Sequence, residues 1–342
     1  MRKTTIYDIA KKCSVSPATV SRVLCNSNYP VSDELRLLVT ETARELNYSP
    51  GRASVLMRTK RSKDIGIILP TISNAYYSQL LQGICSSAAE AEYNVILCIS
   101  DRNPDNEYES LKFLLKKQVS GIIVVSICGN SKFLTDISRN TNLVILEQDA
   151  DVNCSKVVFD YEAGMYMATE HLIKNGHRKI GFIGANPDRP SRIQMLSGYK
   201  KCLADNKIDI VPQYIKISDI DAEIPESFEL KNGKSAASKF LKMKNPPTGF
   251  VCINDMTALG LINRLTDKGY SVPGDFSIIG FDNTPYAALS QPPLTTVEQS
   301  AHPMGAEAMK ILAENIETQT QRSVLFKPSL IKRKTVSAPK TK

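Results

Sequence analysis

The chain has 342 residues, room for two or three domains, and at 42% hydrophobic and 23% charged it is ordinary globular material. No apolar run is long enough to cross a membrane, and no apolar core follows the N-terminal charges, so neither a membrane protein nor a secretory signal is expected. The net charge of +8 is uneven: residues 1–63 hold 12 Lys+Arg against 5 Asp+Glu, the footprint of a polyanion contact on less than a fifth of the chain.

Thr5 reads as a helix N-cap, and Ile6, Ile9 and Ala10 recur at helical spacing up to about Lys12. Ser14-Val15-Ser16 makes a turn. Ser16-Pro17 then starts a second helix, with a capping hydroxyl followed by a residue whose missing N–H costs nothing at the first helical position. Val20, Val23 and Leu24 face inward and leave Ala18, Thr19, Ser21 and Arg22 outside. Small and hydroxyl side chains let such a helix enter the major groove closely, where Arg22 reaches guanine O6 and N7. A third helix is expected from Ser32 to Leu46, with Leu35, Leu38, Val39, Ala43 and Leu46 as its core face. A three-helix bundle without DNA is the plain alternative, and the concentrated positive charge argues against it.

Gly51–Thr59 is too short for an independent helix and on composition alone reads as a linker. From Ile65 onward the chain alternates. Apolar runs occur at 65–69, 95–99, 122–126, 144–146, 157–159, 180–183, 250–253 and 278–281. Amphipathic stretches occur at 77–92, 105–117, 162–175, 191–205, 233–244 and 256–268. Continuous strand hydrophobicity with intervening helices means parallel sheets covered on both faces, and such sheets bind ligands beyond the carboxyl ends of their strands. The residues there are Ser73, Asn74, Tyr76, Asp101, Glu147, Asn254, Asp255, Asp282 and Asn283. Carboxylates, amides and an aromatic platform suit a polyhydroxylated ligand. Ser73, Asn74, Asp160 and Asn254 serve equally well as helix caps.

The eight cysteines form no CxxC pair and mostly lie in apolar runs, which predicts reduced, buried thiols and a cytoplasmic protein. No Cys/His grouping has metal spacing, there is no phosphate-binding loop, and no nucleophile–base pair stands out, so no metal, cofactor or catalytic set is expected. A transport protein would not carry a basic three-helix head. An enzyme with a DNA-binding head remains a rival, separable by product formation.

The run Thr5–Leu24, the later Tyr48-Ser49-Pro50 and downstream motifs including Gly280-Phe281-Asp282 resemble the lactose-repressor (LacI/GalR) family of bacterial regulators, from about Thr5 to Lys334. The resemblance implies an all-α helix-turn-helix head at 1–50 and a hinge helix and linker at 51–62. It implies a periplasmic-binding-protein-like core at 63–338, built from two doubly wound parallel-sheet lobes, the first of 63–160 and 292–324, the second of 161–289 and 327–337. Pro17, Ala18 and Arg22 become base-reading positions, and Thr5, Tyr7, Ser16, Thr19, Ser21 and Ser32 phosphate contacts. In the hinge, Arg52 and Arg58 would sit over phosphates, and Met57 would wedge a minor-groove base step where the family usually has Leu. Cys25 stands where the family often has Asn.

By the same resemblance Asn74, Glu147, Phe228, Asn254, Asp282 and Gln299 are effector-site positions, to which the strand-end reading adds Tyr76. His171 and His177 match signature positions and read as structural. The implied function is that of a dimeric transcriptional regulator, a repressor of carbohydrate-metabolism genes, which binds a pseudo-palindromic operator in double-stranded DNA and answers to a sugar or sugar derivative between the lobes. An activator or a corepressor-dependent regulator uses the same parts. The dimer surface is expected along Tyr77–Glu92 and Met256–Lys268. Met195 stands where the family commonly has an effector-gripping Arg, and Gln148 where it often has another. Arg192 lies near Met195 but three residues away on a helix, so the sequence does not assign it the same role. The effector class therefore stays open between a different sugar, a sugar acid, a phosphorylated sugar and a partner protein.

Overall fold

The computed structural model describes residues 5–24, 31–46, 62–127, 131–218 and 228–340, and the expected hinge contacts Arg52 and Met57 lie outside the described residues. The chain forms two compact units that divide between Ser62 and Lys63.

In the first unit helices run Ile6–Lys12, Pro17–Leu24 and Asp33–Glu45. Each start has a local cause. The Asp8 carboxylate accepts from the Thr5 backbone N–H at 2.8 Å and from its hydroxyl at 2.7 Å. Ser16 Oγ accepts from Thr19 N at 3.1 Å, and Ser32 Oγ from Leu35 N at 3.4 Å. Ile9, Val20, Val23, Val39 and Ala43 close a small core. Leu38, expected in that core, is 48% exposed. The inward stripe of its helix is Leu35, Val39, Thr42 and Leu46, and Leu38 lies about 100° round the axis from Val39.

In the second unit β1 (Asp64–Leu69), β2 (Asn94–Ile99), β3 (Gly121–Val124), β4 (Asn142–Glu147), β5 (Ser155–Phe159) and β11 (Ser323–Phe326) form one sheet, in the order β11-β5-β4-β3-β1-β2 and all parallel. A second sheet holds β6 (Ile180–Ala185), β7 (Ile215–Ser218), β8 (Gly249–Cys252), β9 (Ser277–Asp282), β10 (Thr295–Glu298) and β12 (Ser329–Ile331), in the order β12-β10-β9-β8-β6-β7. Its edge strand β12 runs antiparallel to β10, so this lobe is mixed rather than purely parallel. Without β11 and β12, each lobe repeats the 2-1-3-4-5 winding of a doubly wound sheet. β3, β6, β8 and β9 are buried along their whole length, which is why they read as unbroken hydrophobic runs.

One expected boundary is corrected. The sequence assigns 292–324 to the first lobe, but Thr295–Glu298 pairs in register with Ile279–Asp282 in the second sheet, so the crossing falls after Glu298. The chain crosses between lobes three times: between β5 and helix Tyr161–Lys174, between β10 and helix Ala301–Thr318, and between β11 and β12. Phe159, Tyr161 and Phe281 pack together beside the first of these, with ring centroids 5.1–6.1 Å apart.

A close helix pair packs within each lobe. Ala75–Glu90 crosses Ala301–Thr318 in the first lobe, and Phe228–Phe240 crosses Asp255–Asp267 in the second. At both crossings each helix brings a glycine. A Cβ on Gly83 would lie 2.0 Å from the His302 carbonyl oxygen, and one on Gly233 would lie 2.0 Å from that of Thr257.

Candidate effector cleft and nucleic-acid interface

The carboxyl ends of both sheets open onto one cleft, about 620 Å³ with the open solvent at its mouth included. Asn74 and Tyr76 follow β1, Arg102 follows β2, and Glu147 ends β4. From the second lobe come Arg189, Ser191, Arg192 and Met195 after β6, Asn254 after β8, Asp282 at the end of β9 and Gln299 after β10. Phe228 opens its helix at the same cleft. All seven residues expected to hold an effector therefore line one cavity.

Ser73 and Asp101, also read from strand ends, are exposed and not among the lining residues. Asp255 and Asn283 are structural. Asp255 accepts from Thr284 N at 2.7 Å, Thr284 Oγ1 at 2.9 Å and Thr296 Oγ1 at 2.5 Å. Asn283 accepts from Arg333 Nη2 at 2.6 Å. Asn74 and Asn254 combine two roles: each caps a helix, through Tyr76 N at 3.0 Å and Thr257 N at 2.8 Å, and each lines the cleft. Gln148 is buried and donates to the Ser126 carbonyl at 2.6 Å, away from the lining. His177 spans the Thr248 hydroxyl and the Ser337 carbonyl, both at 2.9 Å, and burial lowers the ring's pKa, as expected of a neutral structural histidine.

Chemically the cleft floor is short of donors. Glu147 Oε1, Gln299 Oε1 and Tyr76 Oη are buried and make no hydrogen bond of good geometry among the described residues. Native interiors rarely leave such atoms unpaired, and a ligand's hydroxyls would satisfy them. Gln299 Nε2 donates to Asp282. Burial pushes the Glu147 carboxyl up to about 7, and the nearby Tyr76 hydroxyl and Arg189 offset only part of that rise. Asp282 is held well above the usual carboxylate range, first by burial and then by Asp255.

The backbone supplies a further sign of function. Arg102, Glu147 and Asp282 carry φ values of 57°, 74° and 113°, a left-handed conformation that non-glycine residues seldom adopt and that clusters at ligand sites.

Sequence reasoning missed Arg102, Arg189, Tyr77, Tyr161, Ser191 and Glu229, all in the lining. Reading three residues past β2 and four past β6 reaches the two arginines. Arg192 does line the cleft, because Asp188 at 3.1 Å and the Asn186 carbonyl at 3.1 Å hold its guanidinium there. Met195 is 5% exposed against the same cavity.

On the head, Thr5, Tyr7, Ser16, Ala18, Ser21, Arg22 and Ser32 are exposed, and Pro17 and Thr19 are half-buried. Tyr7, at 69%, is the most exposed large apolar side chain there among the described residues. Ser16, Pro17, Ala18 and Thr19 form the start of the second helix, with Ser21 and Arg22 further along it.

Residues 5–51 match the model of the bacterial regulatory proteins of the lacI family, and residues 169–336 match a periplasmic binding protein-like domain. Catabolite control protein A of Priestia megaterium is 34% identical over 319 residues, 92% of this chain and 93% of that protein. The chain belongs to the lacI family. As a lacI-family protein it is a transcriptional regulator and not an enzyme. The transcriptional repressor PurR of Aliivibrio salmonicida is 31% identical over 337 residues, 97% of this chain and 98% of that one. Among solved structures, the Lac repressor dimer bound to operator and the anti-inducer ONPF matches with a TM-score of 0.83 at 26% identity, covering 98% of this chain and all of that one. The lacI-family fold is thus present across head and core alike.

Proposed function

We propose that the protein is a homodimeric repressor of carbohydrate-metabolism genes in the cytoplasm, released from a pseudo-palindromic operator when a sugar or sugar derivative enters the cleft. The observation that carries this is the cleft itself: three buried polar atoms without a well-formed hydrogen bond among the described residues, at the junction of two lobes joined by three crossings. A ligand that bridges the lobes favours one arrangement of them. Its effect on DNA is limited to its differential affinity for the two arrangements, typically about 1–3 kcal/mol. Asn74, Tyr76, Glu147, Phe228, Asn254, Asp282 and Gln299 hold the effector. Phe228 is 5% exposed, with the Arg102 guanidinium 5.9 Å from its ring centre, and offers a face for the C–H side of a sugar. Burial raises the free thiols of Cys154 and Cys202 to about 11 and 12, which makes them poor nucleophiles, while Cys85 is exposed rather than buried as the sequence suggests.

Pro17, Ala18 and Arg22 read bases, and Thr5, Tyr7, Ser16, Thr19, Ser21 and Ser32 contact phosphates. Arg52 sits over a phosphate and Met57 wedges the minor groove. Arg22→Ala should weaken binding to a selected operator by about 1–3 kcal/mol and relax preference at one base pair. Fluorescence anisotropy on selected and scrambled duplexes measures it, and an equal loss on both would remove Arg22 from base reading. The regulatory reading is tested by adding a sugar panel to the same protein–operator complex. Phe228→Ala should abolish any response. A response that persists in Phe228→Ala would place the effector elsewhere.

A further inference from the structure

A pair of charged side chains bridges the cleft from one lobe to the other. Arg102 follows β2 in the first lobe, and Glu229 is the second residue of helix Phe228–Phe240 in the second. Both line the cleft. Arg102 Nη2 donates to Glu229 Oε1 across 127 residues of sequence, and the two side chains are nearly buried, at 7% and 10% exposure. The same guanidinium lies over the Phe228 ring. Neither residue can simply follow the other. Asp101 and Arg102 are both left-handed, at φ 50° and 57°. Their turn is closed by Arg102 N donating to the Pro70 carbonyl at 3.1 Å and Asn103 N to that of Ser100 at 2.9 Å. Glu229 rides a helix seated on Asp255–Asp267 through glycines that leave no room for a Cβ. Each partner is thus fixed to its own lobe, and an opening of the cleft has to part them.

Burial decides what the pair is worth. Exposed ion pairs contribute little, but one shielded to this degree is weakly screened, and removing one partner strands the other's charge inside the closed cleft. Water reaches a stranded charge once the lobes separate. Within one rigid body the loss would be a stability effect; between two it becomes a bias on their arrangement.

We propose that Arg102 and Glu229 form an interlobe latch, which holds the core closed beside Phe228 before any ligand enters and so sets the balance of lobe arrangements on which an effector acts. The latch stands on the contact itself, whereas its consequence for DNA rests on reading the core as the regulator of the head.

The chain contains no tryptophan, so one introduced residue gives a single emitter. Tyr77→Trp places it in the lining on the first lobe, away from the helix that carries Glu229. In the full chain without ligand, acrylamide quenching of that emission should rise at least twofold on adding Glu229→Leu or Arg102→Met. With both present it should rise no further than with either alone, because no charge is then stranded. Met195→Trp, on the second-lobe wall, repeats the measurement where Tyr77→Trp fails to fold. Unchanged quenching in the single variants, or a rise that adds between them, overturns the latch. The same variants without the emitter are then titrated with a selected operator. Effector-free operator affinity should shift threefold or more. Raised quenching with unaltered operator affinity leaves the latch standing and counts against control of the head by the lobes.

Discussion

Gly233→Val is expected to destabilise the core by about 4 kcal/mol or more in urea unfolding, the largest effect of any single substitution considered for this chain. The Cβ alone would lie 2.0 Å from the Thr257 carbonyl oxygen and 2.6 Å from Leu261 N, so two helix backbones, not a flexible side chain, must separate. The partner position is closed as well, since a Cβ on Gly260 would meet the Leu230 carbonyl oxygen at 2.2 Å. Gly233→Ala regains about 1 kcal/mol of helix propensity and should still cost about 2–3 kcal/mol. Gly269→Ala is the control. It has φ +82° but nothing within 4 Å, so it should cost only the left-handed backbone penalty, about 1–2 kcal/mol. The pair Gly233/Gly260 also sets the site, because its two helices begin at Phe228 and at the Asn254 cap. A Gly233→Val core no less stable than Gly269→Ala would mean that the two helices move apart without penalty.

The elements legible in the sequence are those with one dominant physical cause. β1, β6 and β9 are buried on both faces and so leave continuous apolar runs. The head helices carry caps at Ser16 and Ser32 that the structure uses. β7, β11 and β12 were not legible, being three or four residues long and half-buried at sheet edges. Helix Ala301–Thr318 is masked by Pro303 and Gly305 in its first turns, and by a Ser300 start in left-handed backbone with no capping bond. Yet Met304, Ala308, Ile311, Leu312 and Ile316 follow its buried face at helical spacing. In the cleft, Asn74, Glu147 and Asp282 were legible from strand ends. Arg189 and Arg192 were not, because their use depends on which way the helix after β6 points, and that is a tertiary fact.

Glu147→Gln should change how the stability of the core depends on pH. The carboxyl rises from an ordinary 4.5 to about 7 in the fold, so between those values the folded chain holds a proton that the unfolded chain has released. Stability attributable to this group is therefore complete below pH 4.5, falls as pH rises, and is gone above about 7. At the ceiling the loss is roughly 3 kcal/mol. Replacing the carboxyl by an amide should remove that loss, leaving Glu147→Gln more stable than the wild type at pH 8 and little changed at pH 4.5. The slope should flatten rather than vanish, because burial also lifts Asp255 to about 6, with the same sign. Urea unfolding at half-unit steps from pH 4.5 to 8 reads it directly. The gain in stability should come with a loss in binding. An effector hydroxyl donating to Glu147 Oε1 favours the ionised carboxylate, so wild-type effector affinity should rise from pH 6 to 8, and Glu147→Gln should bind weakly with no such rise. A variant that kept the wild-type pH slope would show that Glu147 is ionised in the fold at neutral pH, and the stored cost at the cleft floor would then belong to Asp282 and Asp255 instead.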